Sequence, residues 1–424
     1  MTLLTSKLNY AFCALVLFFF LYTFRVPYLG NSAIIAVLIS LAYVIFTNKL
    51  GAFLGLILHR NTIFYVGLVS TPFVYYLILT IFLGEMDFSY LTQYKRLVFY
   101  FFGSSVVSIF ISSLVDIERH KLVKIFRTVV VIQLLIMLTA FFVPAFRELL
   151  ALTKPEDLVL VANRYSDGGV RGLSLSGPQF FGLAVTLSFL LFLFVVDEYN
   201  NKNRTYMYMF YAFMLLFFMS AGRVILVAAV VFFVYLLCQS RIKSYSLVLR
   251  FLFFSVIAAI VMVAIYYLVL PYSFKVRIDN FIGFTFEFIL NYLESGKLET
   301  SSTNHLLEMY FPISLETFVF GDGRYSGTLT GYYMNTDSGY MRQILASGIM
   351  SLVLFFFSTV YLLYFCAIDI CRNNKSAVSG VLLSSTVLLL IFQYKGEVLG
   401  YFLNLHMILW VFYFTYRYKK INEY

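Results

Sequence analysis

The chain has 424 residues, of which 61% are hydrophobic and 12% charged, with a mean hydropathy of +0.87 and a formal net charge of +10. This composition excludes a water-soluble enzyme and fits an all-α polytopic membrane protein, because hydrocarbon offers no partner to an unpaired backbone group and forces every spanning run into a helix. No Walker or dinucleotide-binding glycine loop occurs, so ATP is not expected to supply energy, and no nucleic-acid partner is expected.

Uncharged runs predict spans at 8–24, 31–47, 62–83, 96–115, 122–144, 179–196, 205–220, 224–240, 251–270, 346–367, 377–393 and 398–416, twelve in all. The first is expected to remain in the mature chain, since Tyr22-Thr23-Phe24-Arg25-Val26-Pro27 offers no pair of small residues for signal cleavage. Lys49 to Leu58, backed by His59 and Arg60, is read as interfacial, with a half-span as the alternative.

The basic clusters His59/Arg60, Arg119 to Arg127, Lys202/Arg204, Arg241 to Arg250, Arg372/Lys375 and Arg417 to Lys420 mark the cytoplasmic side, which puts both termini inside. The chain then reads as one membrane domain, 1–424, with two large loops outside, 145–178 and 271–345. Cys13, Cys238, Cys366 and Cys371 fall in spans or at their cytoplasmic ends, leaving no outer disulfide framework and no Cys/His metal spacing.

Nine of the seventeen arginines fall outside. Arg164 and Arg171 lie in the first large loop, and Arg171 precedes Gly182 by an R-x10-G spacing that chance alone yields about once in such a chain. Snorkelling at a helix end is the alternative reading of both. Arg223 is more informative, because it is the only charge in the 36 residues from Thr205 to Ser240. Two spans sharing that length reach roughly 27 Å each against a hydrocarbon core of about 30 Å, so the turn cannot lift Arg223 clear of the membrane. It is expected to face a polar cavity or an ion partner there.

In the second loop Phe281, Phe284, Phe288 and Tyr292 recur at helical spacing, with Glu287, Asn291 and Glu294 opposite, which predicts an amphipathic surface helix over 281–295; a packed core helix is the alternative. His305 follows, a candidate proton acceptor or an ordinary loop histidine. Gly321-Asp322-Gly323-Arg324 offers backbone N–H groups and a guanidinium to a phosphate, or is a plain turn. Asp337-Ser338-Gly339-Tyr340, Arg342 and Gly348 then lead into the tenth span. Glu85-Met86-Asp87 is an E-x-D able to hold a divalent cation, although an ordinary acidic loop is preferred, so metal-independent chemistry without a cofactor is expected.

This pattern resembles the O-antigen polymerases (Wzy) within the group that includes O-antigen ligases. The resemblance spans the whole topology and rests locally on Arg171-Gly172 to Gly182, Ser220-Ala221-Gly222-Arg223, Phe320-Gly321-Asp322-Gly323, Asp337-Ser338-Gly339-Tyr340 and Gly348. Ligases typically carry a histidine where Asp337 stands, which favours the polymerase branch.

The resemblance implies a GT-C-like fold with a large periplasmic loop carrying short helices, in the bacterial inner membrane. It also implies transfer of a glycan from undecaprenyl pyrophosphate to the terminal sugar of a second undecaprenyl-pyrophosphate-linked repeat unit, with membrane lipids and a Wzz-like chain-length regulator as partners. Arg171 and Arg223 would hold the pyrophosphate, Asp337 or His305 would take the acceptor proton, and Arg164, Arg324, Arg342 and Tyr340 would contact substrate. A ligase or other polymerase is the first alternative, and a lipid-linked oligosaccharide flippase the second. Spans almost free of ionisable residues disfavour the flippase.

Overall fold

The computed structural model describes residues 2–115, 119–154, 173–201, 205–238, 271–297, 300–327, 331–371, 374–400 and 403–422, with isolated positions between 249 and 267. Nearly all of it is helix. In chain order the elements are α1 (Thr2–Tyr22), a two-stranded hairpin of β1 (Arg25–Val26) and β2 (Gly30–Asn31), α2 (Ser32–Phe46), α3 (Leu50–Ile57), α4 (Arg60–Phe82), α5 (Ser89–Leu114), α6 (Arg119–Phe142) and α7 (Pro144–Ala151). They continue as α8 (Phe181–Asn201), α9 (Thr205–Phe218), α10 (Ile225–Cys238), α11 (Tyr272–Thr285), α12 (Glu287–Ser295), α13 (Ser301–Glu308), α14 (Leu315–Phe320), α15 (Gly339–Ile370), α16 (Lys375–Lys395) and α17 (Leu403–Asn422).

Among the described residues six helices are long and apolar enough to cross a membrane: α4, α5, α15, α16, Lys121–Phe142 of α6 and Phe181–Tyr199 of α8. The segment predicted as interfacial is helical, and α3 turns away from α2 by 117°. Ser6–Tyr22, Tyr206–Phe218 and Ile225–Cys238 are shorter apolar helices. Most of the predicted span 251–270 lies outside the described residues.

The chain divides into two compact units. The first comprises Met1–Leu38, Leu114–Leu298 and Ile370–Ser384. Within it α8 is the central helix, packed against α6, α9 and α10 with 94% of its apolar window buried. A helix so enclosed can carry carboxylates only if they are paired. Asp197 and Glu198 are, at 3.2 and 3.7 Å from Arg127 of α6, whose guanidinium also faces the rings of Phe194 and Tyr211.

Local chemistry sets where this unit's helices end. Pro144 drives Val143 into an extended conformation (φ −113°, ψ 102°), which stops α6, and then starts α7 where its missing N–H costs nothing. The predicted amphipathic helix is two helices, α11 and α12, broken at Phe286 (φ −109°, ψ 19°). Phe281 packs on Phe141 and Phe217, so α11 joins the C-terminal end of α6 to that of α9.

The second unit comprises Ile39–Ser113, Glu299–Asp369 and Ser385–Tyr424. Its centre is aromatic, and its polar tips are satisfied in pairs: Trp410 Nε1 donates to the Tyr65 hydroxyl at 2.9 Å, and the Thr62 and Tyr413 hydroxyls meet at 2.9 Å. The structure extends the predicted span 346–367 back to Gly339, across a break at Ser347 and Gly348. Gly348 sits at φ +71°, and a Cβ there would collide with the Val319 carbonyl. Only glycine fits such a position, so the 319–322 turn can lie directly on the break.

Candidate functional site

In the first unit, Arg223 stands in the six-residue turn 219–224 between α9 and α10. The described parts of α9 and α10 are 14 residues each, and Arg223 lies in the turn that joins them. Gly222 lets the turn rest closely on α8: a side chain there would begin 3.2 Å from the Ala184 Cβ. The Arg223 carbonyl accepts from the Leu226 N–H at 2.9 Å, fixing the residue at the entry to α10.

The side chain meets the broken amphipathic helix. Arg223 Nη2 lies 2.5 Å from Glu287 Oε2, and its guanidinium carbon is 4.7 Å from the centre of the Phe284 ring. The two charged side chains are 19% and 26% exposed. Phe284 and Glu287, three apart on either side of the break at Phe286, present a ring and a carboxylate to one guanidinium. A guanidinium held by a single partly exposed carboxylate keeps donor directions that an incoming phosphate can use.

In the second unit, the E-x-D loop grips the Gly321–Arg324 turn. Asp87 Oδ2 accepts from the backbone N–H groups of Tyr325 (2.7 Å) and Ser326 (2.8 Å), its Oδ1 accepts from Ser89 N–H (2.9 Å), and Glu85 pairs with Arg324. Thr80 donates to the Gly323 carbonyl and Asp322 N–H to that of Leu345. Burial raises the Asp87 carboxyl, but these donors outweigh it and hold the group below its ordinary value. Both carboxylates thus position the turn, and Arg324 is committed to Glu85. Among the described residues no cluster of three metal-ligating side chains is found.

Arg342, in the first turn of α15, is enclosed. Its guanidinium carbon is 3.6 Å from the Tyr332 ring centre and 4.3 Å from that of Tyr325, and Nη1 lies 3.4 Å from Glu397 Oε2. Glu397 also accepts from the Tyr325 hydroxyl (2.7 Å) and from Gln343 Nε2 (3.3 Å). Gln393 ties the cluster to the chain beyond α16, donating to Gln343 Oε1 and accepting from the N–H groups of Val398 and Leu399. Burial pushes the Glu397 carboxyl up, against the pull of Arg342, Tyr325 and Gln343.

The remaining predicted residues fall as follows. Arg164 and Arg171 lie outside the described residues. Asp337 is exposed just before α15, while its neighbours Thr336 and Ser338 are buried and cap the helix. His305, on α13, is exposed and sits 3.4 Å from Glu308. The Tyr340 hydroxyl donates to the Leu390 carbonyl at 2.9 Å. Sequence reasoning did not single out Glu397, Tyr325, Tyr332 or Gln343. The available signal was Glu397 itself, an acidic residue between two long apolar runs with Arg342 on the far side of the sequence.

The chain matches no family model, no curated protein and no solved structure.

Proposed function

We propose that the protein is an O-antigen or related surface-polysaccharide polymerase of the Wzy type, a twelve-span GT-C-like glycosyltransferase of the bacterial inner membrane with cytoplasmic termini and a periplasmic reaction face. The observation that supports this reading is Arg223: the one charge in the 36 residues from Thr205 to Ser240, held in the turn between two apolar helices and paired with the Glu287 carboxylate. A lipid pyrophosphate is delivered to that depth by its own tail, and it brings its own activation, so no nucleotide is required.

In the transfer, the acceptor sugar hydroxyl attacks the anomeric carbon of the donor glycan, the bond from that carbon to the pyrophosphate oxygen breaks, and undecaprenyl pyrophosphate leaves with the electron pair. Arg223, with Arg171, stabilises the charge developing on the leaving group. Asp337 or His305 takes the hydroxyl proton, both being exposed to solvent. No cofactor or metal enters this scheme.

Deleting the gene in its host and reading lipopolysaccharide bands tests the assignment. A polymerase leaves core carrying one repeat unit, a ligase leaves bare core with polymer on the lipid carrier, and a flippase strands repeat units in the inner leaflet. A normal ladder refutes all three.

A further inference from the structure

The segment 331–337, which leads from the Ser326–Tyr332 bridge into α15, presents side chains that the transfer above leaves unused. The Arg342 guanidinium covers one face of the Tyr332 ring, its carbon 3.6 Å from the ring centre, yet Tyr332 is 42% exposed. The opposite face is therefore open to solvent. Asn335 and Asp337 are exposed too, while Thr336 between them is fully buried. Thr336 is extended (φ −100°, ψ 129°), so its two neighbours point away from its own side chain and stand together on the outer side, their Cα atoms roughly 6.6 Å apart.

The segment is fixed from beneath. Tyr333 N–H donates to the Tyr325 carbonyl (3.2 Å), Asn335 N–H to that of Tyr332 (3.0 Å), and the Thr336 hydroxyl to that of Met309 (3.0 Å). It is also strained, since Met334 and Asn335 both take left-handed backbone, at φ 55° and 54°. Asparagine tolerates that region and methionine does not, and strain of this kind persists where surrounding contacts over-determine it, as they commonly do at ligand sites.

The side chains select the ligand. A flat ring with one free face can cover the apolar C–H face of a pyranose, the Asn335 amide can donate to and accept from its hydroxyls, and the Asp337 carboxylate can accept from them. An anion is not suited: Arg342 lies under Tyr332 and is paired with Glu397, and the charge presented outward is the Asp337 carboxylate. We propose that Tyr332, Asn335 and Asp337 form the subsite for the terminal sugar of the acceptor repeat unit. This rests on the polymerase reading, and it sets a sugar hydroxyl against one of the two candidate bases.

The test is a saturation-transfer NMR titration of the full-length protein in detergent with the soluble oligosaccharide cut from the host's lipid-linked repeat unit. Wild type should bind it, with the strongest transfer to the C–H protons on one face of the terminal sugar. Tyr332→Leu should weaken binding about tenfold and Asn335→Gly about fivefold, whereas Tyr332→Phe should stay within about twofold of wild type. Asn335→Gly keeps the left-handed backbone without the amide, so it reads the site even where Tyr332→Leu fails to fold. No binding by wild type, or unchanged affinity in Tyr332→Leu or Asn335→Gly, overturns the subsite. Binding that these variants lose, in a protein that joins no repeat units, sustains the subsite and overturns the polymerase reading instead.

Discussion

The Arg223 guanidinium lies 2.5 Å from the Glu287 carboxylate, across 64 residues of sequence, and this pair closes the turn between α9 and α10 with a charge borne on α12. Under the proposed function, a pyrophosphate oxygen would compete with this carboxylate for the guanidinium.

That competition predicts different outcomes for the two partners. Arg223→Ala should lower polymer formation by about 10²-fold or more, the scale of losing one oxyanion donor, and Arg223→Lys should recover little because an ammonium lacks the planar fork. Glu287→Gln should leave turnover near wild type. Both should change thermal stability by less than about 1 kcal/mol, since the pair is partly exposed. Initial rates on a lipid-linked repeat unit, alongside melting curves in detergent, check this.

Arg342 should behave in the opposite way. It and Glu397 are 8% and 2% exposed, and removing either leaves a buried charge uncompensated, which costs about 3–5 kcal/mol. Arg342→Ala and Glu397→Ala should therefore unfold or fail to accumulate, whereas Tyr332→Phe, which keeps the ring over the guanidinium, should be stable. Melting temperatures and membrane yield of the three variants measure the difference.

Asp87 gives a pH dependence of defined sign. Burial raises its carboxyl, but the N–H donors of Ser326, Ser89 and Tyr325 leave the folded-state value below the ordinary 3.8. Its contribution is therefore present above that ordinary value and is lost as pH falls through the lower folded-state one. Asp87→Asn should cost about 1 kcal/mol at neutral pH, discounted for partial exposure, and nothing once wild-type Asp87 is itself protonated. Thermal unfolding of both proteins from pH 7 to pH 3 should show the two curves converging at the acid end.

The acceptor proton separates Asp337 from His305. A positioned base contributes about 10²- to 10⁴-fold, so one of the two alanine variants should slow turnover by that factor while the other stays near wild type. If both polymerise at the wild-type rate, neither is the base.

Six of the twelve predicted spans, 62–83, 96–115, 122–144, 179–196, 346–367 and 377–393, correspond to helices long and apolar enough to cross a membrane, because hydropathy depends only on local composition. The predicted run 96–115 falls within α5 but for its last residue, and 377–393 lies inside α16. The run 346–367 began too late because Arg342 and Asp337 interrupt the apolar pattern, whereas the helix tolerates Arg342 by burying it against Tyr325 and Glu397.

Pairings were not legible. Asp87 meets Ser326 across 239 residues and Arg342 meets Glu397 across 55, and no local rule chooses such partners. The break at Phe286 was hidden for another reason: the spacing of Phe281, Phe284 and Phe288 runs through it.

Reconstitution in liposomes isolates the transfer reaction. Purified protein in liposomes is given one lipid-linked repeat unit, and chain length and released undecaprenyl pyrophosphate are followed together. The account predicts a ladder of polymer in which each added repeat releases one undecaprenyl pyrophosphate, and loss of both signals in Arg223→Ala. Repeat units that cross the bilayer without being joined, or a ladder of unchanged rate in Arg223→Ala, would contradict it.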